Sequence, residues 1–210
     1  TVTDVTNFAT LNTIKNNVGT GSVHSNSITD SADNVLNASN AGITLNTVTL
    51  VLPSIADLVN IQANGTISIN LSGVRIYDSA ANLAADSTYL PLTQNSTVTT
   101  AATIAEITAI DAANLNQTII LNEGFKDTYA NLKADIDAGG YISSNSYLEI
   151  TISNASTLTL AEYNIIDAAT TGKVLISDTN ANVQSFINNG TVSNLSNVEI
   201  TDTTTKTDID

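Results

Sequence analysis

The hydrophobic positions of this chain come in short bursts. Runs rich in Val, Ile, Leu and Thr occupy residues 2–4, 23–28, 48–52, 74–77, 98–100, 119–121, 148–152, 174–176 and 198–200. Such runs suit a pleated, half-buried surface and predict short strands. Between them the apolar spacing lengthens to three and four. NFATLNTI from Asn7, SIADLVNI from Ser54, TIAEITAI from Thr103 and TLAEYNII from Thr159 each set apolar residues four and seven positions after a capping side chain. These are Leu11, Leu58, Ile107 and Tyr163, then Ile14, Ile61, Ile110 and Ile166. Together they make one face of a short helix. In the last three segments Ser or Thr stands three residues before Asp or Glu, the pattern of a reciprocal capping box. The copy at Asn7 is worn.

A second motif alternates with the first. It reads ITDSADNV at 28–35, IYDSAANL at 76–83, FKDTYANL at 125–132 and ISDTNANV at 176–183. Its aspartates, Asp30, Asp78, Asp127 and Asp178, are 48, 49 and 51 residues apart. Ser31, Ser79, Thr128 and Thr179 take the cap position, and Asn34, Asn82, Asn131 and Asn182 take the third helical position. The preceding carboxylate sits where a helix macrodipole favours it. The elementary unit is about 24 residues long, in two alternating flavours. Strand, cap, short helix and return predict an α/β repeat with parallel strands and right-handed crossovers. The expected fold is a right-handed β-α solenoid of about eight coils, grouped as repeats 1–47, 48–97, 98–152 and 153–200 with a polar tail at 201–210. Segments 122–126 and 138–145 read as irregular loops. Strands stack about 4.8 Å apart and helices about 10 Å apart. Either the stack curves, or one flavour of helix shrinks to a single turn.

Composition narrows the function. Apolar residues make up 42% of the chain, enough for a core, while only 12% are charged. Thr, Asn and Ser supply over a third of it. This polar, uncharged surface suits an extracellular structural module better than a cytosolic enzyme. With no Cys there are no disulfides and no thiolate metal ligands. The single His, His24, reads as a solvated loop residue. A net charge of −14 excludes nucleic acid as a partner, and no apolar run reaches the length that inserts in a membrane. The chain starts at Thr with no leader, as expected of a fragment of a larger protein.

The aspartate row is the candidate functional feature. If Asp30, Asp78, Asp127 and Asp178 stood on adjacent strands they would lie about 5 Å apart and favour a cation such as Ca²⁺. If they recur on every second coil, they are helix-start carboxylates with no cofactor required. The asparagine row reads as buried amides serving backbone groups in turns. For glycoside hydrolysis a carboxylate pair is needed. Glu106 and Glu162 belong to capping boxes. Glu149 and Glu199 occupy matching strand positions, LEIT and VEIT, leaving only Glu123 unassigned. The six Tyr occupy different repeat positions, against an aromatic glycan platform. Sequons at Asn64, Asn70, Asn95, Asn154 and Asn194 are what chance gives in such a composition.

The segment LTLAEYNIIDAATTGKVLISDTNANV (158–183), paired with VEITDT (198–203), resembles repeats of very large secreted bacterial surface proteins, the type I-secreted adhesins and S-layer-like proteins. The resemblance covers the last two-thirds of the chain well and the first third loosely. It implies an extracellular, cell-surface structural or adhesive role, with secretion directed from elsewhere in the parent protein; no functional residue carries over. The expected function is therefore a non-catalytic module of a surface layer, filament or adhesin. The alternative is a glycan- or protein-binding module, and after that a polysaccharide-active enzyme. The expected partners are copies of the chain, flanking repeats of the same protein, or a surface glycan.

Overall fold

The computed structural model describes residues 7–65, 67–114, 118–188 and 197–202. Short helices alternate with strands. The strands are β1 (Val23–Asp30), β2 (Ile43–Leu50), β3 (Ser68–Asn70), β4 (Arg75–Asp78), β5 (Asn95–Val98), β6 (Thr118–Leu121), β7 (Phe125–Asp127), β8 (Ile150–Ile152), β9 (Val174–Asp178) and β10 (Asn197–Ile200). The helices are α1 (Phe8–Asn17), α2 (Ala32–Asn40), α3 (Ile55–Ala63), α4 (Ala80–Ala85), α5 (Ile104–Ala113), α6 (Tyr129–Asp137), α7 (Tyr141–Ser144), α8 (Leu160–Ala169) and α9 (Asn180–Asn188). The strands form three sheets, ordered β1-β2-β3, β4-β5-β6 and β10-β9-β8-β7. Ladders β1–β2, β2–β3, β4–β5, β7–β8, β8–β9 and β9–β10 are parallel, as a helical crossover between consecutive strands requires. The architecture is thus α/β with alternating parallel strands and short helices, compatible with a β-α repeat.

The chain divides into two compact units. One comprises 1–99 and 109–120, the other 100–108 and 121–210. In the first, α1 packs on α2, and α2 on α3. In the second, α6 packs on α7 and α8.

The helical apolar face behaves as its spacing predicts. Leu58, Ile61, Ile110 and Ile166 are fully buried, and Ile107 and Tyr163 nearly so. The Asp-flavour helices bury Val35, Leu83 and Leu132 in the same way. Ile14, in the worn copy, is only half-buried. Both flavours keep a real helix of nine or ten residues, apart from α4 with six. The mismatch between strand and helix spacing is therefore not met by collapsing one flavour.

Several boundaries depart from the sequence reading. β2 starts at Ile43 and stops at Leu50, because its buried residues alternate with Thr and Asn instead of forming one run. It ends where Leu52 adopts φ 47°, a left-handed conformation unusual for a branched residue, just before Pro53. β5 lies at 95–98, ahead of the expected 98–100, on a run of buried Ser and Thr. β3 and β7 each carry a single apolar residue and gave no run to detect. β7 overlaps the end of the expected loop 122–126, and α7 falls within the expected loop 138–145. His24 stands on the exposed side of β1, not in a loop. The run at 2–4 lies outside the described residues.

Glycines mark the turns between β3 and β4 and between β6 and β7. Gly73 has φ 78° and Gly124 φ 83°. At Gly124 a Cβ would lie 2.1 Å from the Glu149 carbonyl oxygen, so no larger residue fits without moving the backbone.

Ile110 is a central core residue with no exposed surface. Truncation to Ala is expected to lower stability by about 2–5 kcal/mol in denaturant unfolding. An unchanged midpoint would show that the helical periodicity does not report the core.

Candidate functional site

The ladders separate the aspartates. Across the strands Asp30 faces Leu50, Asp78 faces Val98, Asp127 faces Ile152 and Asp178 faces Ile200. Each carboxylate is followed on the next strand by an apolar residue, not by another carboxylate. The aspartates recur on alternate coils, and the arrangement that called for a shared cation is absent.

What each carboxylate does instead is the same at every copy. Oδ1 of Asp30 accepts the cap amide of Ser31 at 2.8 Å and the Asn34 side-chain amide at 2.7 Å. Oδ2 accepts the amide of Phe8, 22 residues earlier, at 2.8 Å. Asp78 takes Ser79, Asn82 and, from the preceding α3, the first amide at Ile55. Asp127 takes Thr128, Asn131 and the first amide of α5 at Ile104. Asp178 takes Thr179, Asn182 and the amide of Ala155. One oxygen thus completes its own helix start and the other completes a turn one coil earlier.

The cap grammar also holds in detail. Ser31, Ser79, Thr128 and Thr179 accept the amide three residues on, as caps do. In the other flavour, Ser54–Asp57, Thr103–Glu106 and Thr159–Glu162 bond in both directions. The asparagine row differs from expectation. Asn82 and Asn131 are exposed, and Asn34 and Asn182 half-buried. Their amides donate to the aspartates and do not serve turn carbonyls. Because the aspartate already takes the cap amide, the third-position side chain is released to brace the carboxylate.

A fifth clasp was not legible as a motif copy. Asp202 accepts the amide of Asn180, the first residue of α9, at 2.7 Å. Its signal was present: ITDT at 200–203 repeats the opening of ITDS at 28–31. Lys206 and Thr207 stand where the motif has Asn and then Val or Leu, so the eight-residue pattern did not reach it.

Electrostatics follow from the donors. Burial alone would raise the Asp30 carboxyl, but the Asn34 amide and the Phe8 and Ser31 N–H groups outweigh it and hold the group below the ordinary carboxylate range. Asp178 is likewise lowered against its burial by Asn182, Thr179, Ala155 and Ser156. Among the described residues no group of three or more His, Asp or Glu could hold a metal ion.

The glutamates do not converge. Glu106 and Glu162 are engaged in their capping boxes. Glu199 accepts from the Ser177 hydroxyl and pairs with Lys126 at 3.1 Å, contacts that lower its carboxyl. Its expected equivalence to Glu149 is wrong. Glu199 pairs with Ser177 across the ladder, whereas Ile150 pairs with Val174 and so sets Glu149 four positions away in the register. LEIT and VEIT look alike only because both alternate apolar and polar residues. Tyr163 and Tyr89 are buried, while Tyr77 on β4 and Tyr147 in the turn after α7 are exposed. Among the described residues no helix is long and apolar enough to cross a membrane. No family model, curated protein or solved structure matches the chain.

Removing a clasp leaves amides at two helix starts without acceptors. Asp127→Ala is expected to cost about 2–4 kcal/mol, since hydrogen bonds to charged groups are worth about 1.5–3 kcal/mol each and are not additive. Chemical unfolding of the variant against Asp137→Ala, an exposed control, measures it. Equal losses would show the clasps to be incidental.

Acid should act through the same groups. Asp30 and Asp178 have native values below the ordinary 3.8, so the unfolded chain binds protons first as pH falls. Their stabilisation is complete above about pH 5 and is lost as pH drops through the native values. The double variant Asp30→Asn/Asp178→Asn is expected to show a flatter decline in stability between pH 5 and 2 than the parent. Parallel pH profiles would contradict this.

Proposed function

We propose that the chain is a non-catalytic structural or adhesive module of an extracellular bacterial surface protein, such as a surface layer, filament or long adhesin. In this reading it is a segment of right-handed β-α solenoid, about eight coils in four repeats. The observation that carries it is the recurrence of one carboxylate clasp: Asp30, Asp78, Asp127 and Asp178 are each spent on backbone amides of two successive turns, and Asp202 repeats the backward bond to the turn before it. Acidic groups at an active centre are grouped and irregular; these are spaced and repeated. The resemblance of 158–183 and 198–203 to surface-protein repeats points the same way. A protein- or glycan-binding role is the second reading, favoured by exposed strand edges.

A sheet edge pairs with other chains unless it is blocked. At −14 the chains repel one another, and salt or Ca²⁺ weakens that repulsion. Sedimentation velocity across salt and Ca²⁺ titrations is expected to show self-association that strengthens with either. Val198→Lys, on β10, is expected to weaken it. A monomer under every condition would overturn assembly and leave a plain spacer.

A further inference from the structure

The ladder of the first sheet stops at β3. The 20-residue offset that pairs Arg75 with Asn95 would bring residues 88–90 beside Ser68–Asn70. Instead the chain there turns into a 3-10 segment, Leu90–Leu92. The reason is Asp86. Its carboxylate accepts the amides of Thr88 at 3.2 Å, Tyr89 at 2.9 Å and Leu90 at 2.6 Å. Those three donors are committed, and Pro91 has none. β3 is left as an edge with Ser68 and Asn70 exposed and Ile69 half-buried. Beside it opens a groove of about 370 Å³, lined by Gln62, Ile67, Ile69, Leu71, Tyr89 and Leu92 together with Ser68 and Thr88. The Tyr89 phenol donates to Gln62 Oε1 and ties α3 to this turn. Leu92 is 62% exposed.

We propose that this edge and groove take up an extended, uncharged segment of a partner protein by strand addition. The open edge supplies backbone donors and acceptors at strand spacing, and the groove supplies a pocket for an apolar side chain beside Leu92. Every residue lining the groove is uncharged, on a chain carrying −14. An acidic strand would be repelled by the surrounding field; a basic one would be drawn to it, but its charged side chain would lose water on entering the groove and find no carboxylate there to pair with. A neutral strand alternating hydroxyl and apolar residues matches both the edge and the pocket. The proposal is independent of the surface-module reading, and either can fail without the other.

The probe is a blocked, dye-labelled peptide of alternating Thr and Val, titrated into the full chain by fluorescence anisotropy. Saturable binding is expected, with slower hydrogen exchange at amides 68–70. Two analogues, N-methylated at odd or at even residues, test backbone pairing; at least one is expected to bind tenfold or more weakly. Leu92→Lys is expected to weaken binding by a similar factor with an unchanged circular dichroism spectrum. Absence of saturable binding at millimolar peptide would overturn the proposal. So would binding of both N-methylated analogues as tight as that of the parent peptide, unaltered exchange at 68–70, or indifference to Leu92→Lys.

Discussion

A helix leaves its first amides without partners, and a fold of many short helices multiplies that deficit. In this chain the deficit is met by carboxylates. Asp30, Asp78, Asp127, Asp178 and Asp202 serve helix starts or turns one coil away as well as, in the first four, their own. Asp86 holds the 3-10 turn, and the buried Asp135 accepts the amides of Tyr141 and Ile142 to hold α7. The low content of basic residues is then less puzzling. Much of the negative charge is matched by backbone N–H groups, which are partial positive charges fixed by the fold, and needs no lysine beside it.

The same constraint explains an irregular spacing. From cap to following aspartate the distances are 23, 24 and 24 residues, then only 19. Asp178 nevertheless reaches back 23 residues, to Ala155. The chain passes through the conserved geometry at Ala155 and starts α8 five residues later, at Leu160. What the fold keeps constant is the aspartate-to-amide distance. The cap is free to slide when a few residues are inserted.

Much of this architecture was readable from residues. Helix faces and caps were legible because local rules fix them: a hydroxyl, a carboxylate three residues on, and apolar residues at four and seven. Strand ends were not, because β2 is built on alternation, while β3 and β7 are too short and polar to register. The role of the aspartates was half legible. Their place at a helix start follows from sequence, but their second partner lies in another coil, and only the register reveals it. Glu149 and Glu199 show the converse error. Near-identical local words fell four places apart in the ladder, since alternating apolar and polar residues repeat every two positions and cannot specify register alone.

The clasp has a direction. The amide at Phe8, Ile55, Ile104 or Asn180 belongs to one coil, and the carboxylate that receives it arrives 22 or 23 residues later. Synthesised from its N-terminus, the chain therefore leaves each such helix start open until the following strand has emerged. A coil closed in this way is finished by its successor, and until then the growing end trails one unsealed turn behind the last strand laid down.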